Sequence, residues 1–224
     1  MALVELGSSA GLLLHLDRYR YRYGDVSAGP ADSAVTIAPQ LRGGSPGTTA
    51  LPPISRRVGI DLQPLDPSDP DDARWLKACV WPEERARRRR LDAALEEAAG
   101  HADVEQVAGD VLTELAPAVR RIDSEAVVAV LHCATLAYLD QGRRAQIERD
   151  LDALGRERDL VRVCLEGDFA EPFATMESDL PAADPAEERF LLGLTTWVDG
   201  RRHDELLGRV QSHGAWLEWH TPVG

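Results

Sequence analysis

The sequence predicts an α/β fold in which a mostly parallel sheet is flanked by helices and finished by an antiparallel hairpin. Three observations carry that expectation. Ala2-Leu3-Val4-Glu5-Leu6 is a short apolar strand that stops in a turn of small residues, Gly7-Ser8-Ser9-Ala10-Gly11, and restarts as a helical stretch. Strand and helix patterns then alternate up to about residue 165. From residue 189 two strand-like segments follow one another with no helix between them, joined by the turn signal Asp199-Gly200.

In chain order, a helix is expected from Leu12 to about Tyr23, although the alternation of Arg and Tyr from Arg18 to Tyr23 also suits a helix end passing into an amphipathic strand. Residues 24–57 are rich in Gly and Pro (Gly29-Pro30, Gly43-Gly44, Pro46-Gly47, Pro52-Pro53) and read as a long insertion or lid with one strand at 34–38. Arg57–Leu62 is the second core strand, with Asp61 near its tip. Ser68 and Asp69 are candidate N-caps for a helix from Asp71 to Val80, which Trp81-Pro82 should end. The next helix, Glu83–Ala99, carries Arg85, Arg87, Arg88, Arg89 and Arg90 among acidic residues and reads as an exposed, ion-paired helix. A third strand runs from Val104 into Gly109-Asp110, and a helix follows from Leu112 to Arg121. Ala126–Leu131 is apolar on both faces, as a strand at the centre of a parallel sheet must be. A helix at 141–154 and a strand at 160–165 complete the alternation; the hairpin spans about 189–219. All of this fits a single domain over residues 1–224.

Composition narrows the function classes. The net charge is −13, which disfavours a nucleic-acid backbone as partner. Three cysteines without a C-x-x-C pair suit reduced thiols and no zinc site. No apolar run reaches the roughly 20 residues of a membrane span, and residues 1–15 lack a signal-peptide pattern. The expectation is a soluble cytoplasmic protein without a membrane partner; a homo-oligomer is compatible with it.

A strand that ends in small residues brings backbone close to a ligand, because no Cβ intervenes. Read as E-x-G-x-S-x-G, the residues Glu5, Gly7, Ser9 and Gly11 resemble the nucleotide loop of Rossmann-like S-adenosylmethionine methyltransferases, with serine at the middle glycine. The dinucleotide pattern G-x-G-x-x-G fails at Ser9 and Leu12, which disfavours an NAD-linked oxidoreductase. The terminal hairpin is likewise similar to the class I methyltransferase architecture. Over nearly its whole length the chain also resembles a bacterial family, domain of unknown function 2332. The residues that carry this resemblance include Arg74-Trp75-Leu76, Val80-Trp81-Pro82, Ala137-Tyr138-Leu139 and His213-Gly214-Ala215-Trp216-Leu217-Glu218-Trp219. Members of that family usually carry a helical region ahead of the glycine loop, whereas this sequence starts at its first strand, and the resemblance brings no assigned reaction.

On the expected sheet, Gly7 to Gly11, Asp61, Asp110 and His132 all fall at carboxyl ends of parallel strands, where a ligand sits. Gly7, Ser9, Gly11, Asp61, Gly109 and Asp110 are therefore candidate S-adenosylmethionine contacts. Glu5, just below the loop, is placed to fix its backbone or to meet the cofactor's amino group. Asp61 reads equally as a ribose ligand or a solvated strand-end carboxylate, and Asp110 as an adenine ligand or a helix N-cap. His132 is the candidate general base, unless it is a strand-end residue bonded to backbone, and Tyr138 is the candidate for orienting an acceptor. No metal-binding constellation appears. The expected function is methyl transfer to a small-molecule acceptor; the alternative is a non-catalytic binding or assembly module on the same scaffold.

Overall fold

The computed structural model describes residues 1–47, 50–178, 180, 184 and 187–220. In chain order the elements are β1 (Ala2–Leu6), a 3₁₀ stretch (Leu12–Arg18), β2 (Arg20–Tyr23), β3 (Val26–Ala28), β4 (Thr36–Ile37), β5 (Gln40–Gly43), β6 (Arg56–Asp61), α1 (Pro70–Ala78) and α2 (Arg85–Ala99). There follow β7 (Val104–Ala108), α3 (Val111–Arg120), β8 (Val128–Cys133), a 3₁₀ turn (Leu136–Tyr138), α4 (Gln141–Glu157), β9 (Leu160–Glu166), α5 (Phe173–Glu177), β10 (Phe190–Val198), β11 (Arg201–Val210) and β12 (Trp216–Trp219). The result is a mixed α/β fold built on one nine-stranded sheet of order β5-β12-β11-β10-β9-β8-β1-β6-β7. From β7 to β9 every pairing is parallel, and β9-β10-β11-β12 is an antiparallel run.

Side-chain parity divides the core. Ala2, Val4 and Leu6 of β1, with Val58, Ile60, Val128 and Val130, pack against Leu115 and Val119 of α3 and Ile147, Leu151 and Leu154 of α4. Complete burial of each such leucine contributes about 1.5–3 kcal/mol. Leu3 and Ala129 face the other way, toward Leu14 and Leu16 of the 3₁₀ stretch. Arg57 anchors that stretch from β6: its guanidinium donates to the Leu14 carbonyl (2.6 Å) and to both oxygens of Asp17 (2.9 and 2.8 Å). No helix among the described residues is long and apolar enough to cross a membrane.

Several sequence expectations need correction. The helix expected at 12–23 is a 3₁₀ stretch that ends at Arg18, and the Arg-Tyr alternation continues as strand β2. Tyr19 turns extended and its N donates to the Leu16 carbonyl (3.4 Å), while Tyr19 Oη donates back to the Leu12 carbonyl (2.6 Å) and Tyr21 Oη to the Leu16 carbonyl (2.8 Å), which ties the start of β2 to the stretch before it. The insertion at 24–57 holds three short strands rather than one: β3 and β4 flank β2 in a small second sheet, and β5 lies beside β12 at the edge of the main one. The tail is a three-stranded meander, because the expected second arm breaks at 211–215, where Gly214 takes a φ of +75°. Its first turn is as expected, with Asp199 and Gly200 at φ 51° and 72°. Asp69 caps α1 by accepting from Asp71 N (2.7 Å).

Candidate functional site

The loop after β1 departs toward one side of the sheet and β8 lies on the other, so a crevice opens at the carboxyl ends of β1, β6, β7 and β8. Its volume is about 400 Å³. Gly7, Ser9, Asp61, Asp110 and Tyr138 line it together, with Leu62, Cys133, Thr135 and Arg143 among their neighbours. These five candidates, scattered over more than 130 positions, thus meet around one space. Glu5, Gly11, Gly109 and His132 are not among its lining residues.

The β1 loop is held by its own polar groups. Gly7 N and Ser8 N donate to the Ile60 carbonyl (2.8 and 3.2 Å), Ser9 N to Asp61 Oδ2 (2.8 Å), and Gly11 N to the Ser8 carbonyl (2.7 Å). The loop amides therefore turn inward and form no bare cradle for phosphate. Ser9, at the position of the pattern's middle glycine, adopts φ 51°, a left-handed conformation. Asp61 Oδ1 also accepts from Gln63 N (2.9 Å), so this carboxylate stitches the β1 loop to the end of β6. Asp110 is the N-cap of α3, accepting from Leu112 N (3.0 Å), and it pairs with Arg143 (2.5 Å). The Arg143 bond, followed by that from Leu112 N, holds its carboxyl below the usual range. A Cβ at Gly109 would run into the Glu114 side chain, and one at Gly11 would meet Gln106 and Val104.

His132, expected to face the acceptor, lies beneath the crevice. It shares the β8 parity of Val128 and Val130, is almost wholly buried, and bonds through Nδ1 to Oε1 of Glu166 (2.8 Å) rather than to backbone. The same Glu166 oxygen accepts from Thr135 N (3.0 Å) and Leu136 N (3.1 Å). The pair thus supports the loop after β8 from below. Glu166 sits at the tip of β9, as Asp61 does at the tip of β6, and that shared position was the signal that could have singled it out. Thr135 and Arg143 carry no such mark. Cys133 lines the crevice, but burial, then the charges of Glu166 and Glu5, push its thiol up to about 12, leaving it protonated and inert.

Glu5 is buried, with no partner for its Oε2. Burial, and then the Asp61 carboxylate, push its carboxyl well above the ordinary value of 4.5. The unfolded chain ionises this group near its ordinary value while the folded chain keeps it protonated. Stability is therefore lost as pH rises from there through the raised folded value. Glu5→Gln should be more stable than the wild type at about pH 7, with the gap closing near about pH 4. His15 titrates in the opposite sense. Burial, then Arg18, lower its imidazole to about 4, but the wild type and the variant share this effect. Urea unfolding of both proteins across the range checks this, and a gap that ignores pH would refute it.

The comparisons with known proteins assign no chemistry to this crevice. The family described as "Uncharacterized protein conserved in bacteria (DUF2332)" matches residues 1–219. No curated protein and no solved structure matches the chain. With the match spanning nearly its full length, the chain belongs to the DUF2332 family of bacterial proteins.

Proposed function

We propose that this protein is an S-adenosylmethionine-dependent methyltransferase acting on a small molecule, built on a Rossmann-like sheet of the class I methyltransferase kind. The observation that carries the reading is the convergence of Gly7, Ser9, Asp61 and Asp110 on one crevice at the switch point of a parallel sheet. A carboxylate at the tip of β6 suits ribose hydroxyls, since each oxygen of Asp61 keeps a lone pair beyond its backbone bond. Arg143 is the one cation among the residues lining the crevice and would face a ligand carboxylate. The inward-turned loop amides favour this cofactor over a dinucleotide, whose pyrophosphate needs them free.

When bound, S-adenosylmethionine supplies an electrophilic methyl group. The chain's own part is alignment. No imidazole lines the crevice, so the acceptor brings its own nucleophile. It would approach across an apolar rim: Leu62 and Tyr138 at the mouth are 76% and 89% exposed, and Trp75, 64% exposed, borders an adjoining hollow shared with Ser9 and Asp61. That rim favours a planar or apolar small molecule. The burial of His132 favours the second reading, a binding module without catalysis. None of the described residues of segment 24–57 lines the crevice, so they form no lid over it.

Calorimetric titration tests the proposal. S-adenosylhomocysteine should bind in the micromolar range, NADH should give no heat, and Asp61→Asn should weaken binding by about tenfold. Silence from folded protein toward S-adenosylhomocysteine would overturn the methyltransferase reading.

A further inference from the structure

Helix α2 is charged against its own dipole. Arg85, Arg87, Arg88, Arg89 and Arg90 occupy its beginning and Glu96 and Glu97 its end, whereas helix partial charges favour the reverse. The sequence pattern suggested that neighbouring acids neutralise these arginines, but the structure shows otherwise. Glu84 pairs with Arg87 (3.2 Å), and Asp92 turns instead to Lys77 (2.9 Å). Among the described residues no acidic group comes within ion-pair distance of Arg85, Arg88, Arg89 or Arg90. Four unpaired guanidinium groups within six residues are a marked local concentration in a chain of net charge −13.

These groups do not all face open water. A cavity of about 570 Å³ lies between the start of α2 and the turn 211–215 that leads into β12. Arg85, Arg87, Arg89 and Arg90 line it, and Arg88 does not. The opposite wall is firm. Gln211 Oε1 accepts from His213 N (2.8 Å) and Ala215 N (3.3 Å), and Gln40 N ties the Ala215 carbonyl to the sheet edge (2.9 Å). Gly214 in that wall has open space where a Cβ would stand. With Glu84 paired to Arg87, three unpaired guanidinium groups face one remaining carboxylate, that of Glu83.

We propose that this cavity binds a small diphosphate-bearing anion, at a site separate from the crevice at β1. Guanidinium groups grip phosphate oxygens in bidentate fashion, and a planar fork on each of three side chains matches several such oxygens at once. The arrangement costs the free helix electrostatic stability that a bound anion restores. Three guanidinium groups spread along one hollow outnumber what a single phosphate engages, which favours a diphosphate. The overall negative charge disfavours a nucleic-acid strand.

The test is calorimetric titration of the full chain with inorganic pyrophosphate, inorganic phosphate and acetate, at about 0.15 M ionic strength to screen diffuse charge. Pyrophosphate should bind more tightly than phosphate, and acetate should give no heat. Arg85→Gln and Arg89→Gln should each weaken pyrophosphate by about tenfold, while Arg88→Gln, on the same helix but off the cavity, leaves it unchanged. These surface substitutions leave the core intact, and a thermal midpoint without ligand that is no lower than the wild type's confirms it. Absence of pyrophosphate binding, equal weakening by Arg88→Gln, or tighter binding of a single-stranded oligonucleotide than of pyrophosphate would each overturn the proposal. None of these outcomes depends on whether S-adenosylhomocysteine binds the crevice.

Discussion

Glu166→Ala should destabilise the protein by about 3–5 kcal/mol, because it leaves buried donors without their acceptor. Glu166 is fully buried at the end of β9, and one of its oxygens gathers His132 Nδ1, Thr135 N and Leu136 N. His132 Nε2 is already buried without a partner, so the alanine variant would strand both ring nitrogens as well as two amides. Glu166→Gln keeps a carbonyl oxygen in place and should lose only about 1–2 kcal/mol. Urea unfolding measures both. The loop released by the change carries Thr135 and Tyr138 into the crevice, so ligand binding there should weaken in the glutamine variant although Glu166 touches no ligand. A Glu166→Ala protein as stable as the wild type would show that this carboxylate does not hold the loop.

The same pair shows how far the sequence could be read. The parity of Val128, Val130 and His132 was visible, and so was the acid at the tip of β9. Which face of β8 looks into the crevice was not, because it depends on the helices α3 and α4 packing against that parity. Local pattern sufficed for β1 and β6 and for the Asp199-Gly200 turn, where burial or backbone chirality acts within a few residues; it placed β8 two residues early, at 126–131, whereas the strand runs Val128–Cys133 and holds His132 within it. It failed from Leu12 to Tyr23, where tyrosine hydroxyls tie strand β2 back to carbonyls of the 3₁₀ stretch five and seven residues away. It failed again at β5, whose partner β12 lies more than 170 residues along the chain. The meeting of Gly7, Ser9, Asp61, Asp110 and Tyr138 was legible because strand ends in a parallel sheet fall on one edge. Their bonding was not: Asp61 and Asp110 serve the backbone as well as facing the crevice, and strand position alone cannot separate those uses.

Gly7→Ala should cost about 2–5 kcal/mol, the sum of a left-handed backbone penalty and overpacking. Gly7 has φ +70°, and a Cβ there would lie 2.5 Å from Thr135 Oγ1 and 2.8 Å from its Cγ2. Thr135 has little room to retreat, since its hydroxyl donates to the Leu6 carbonyl (2.8 Å) and its amide to Glu166. This contact is where the β1 loop rests on the β8 loop, so it sets the floor of the crevice. Thr135→Ala alone should cost about 1 kcal/mol for the lost hydrogen bond. In the Gly7→Ala background it should instead restore the steric share, giving a coupling of about 1–3 kcal/mol in a double-mutant cycle. The backbone share would persist in the double variant, because no change at Thr135 alters the φ demanded of residue 7. Strict additivity in the unfolding free energies would mean that the two loops do not bear on one another, and the crevice would then lack the rigid floor that aligning two reactants requires.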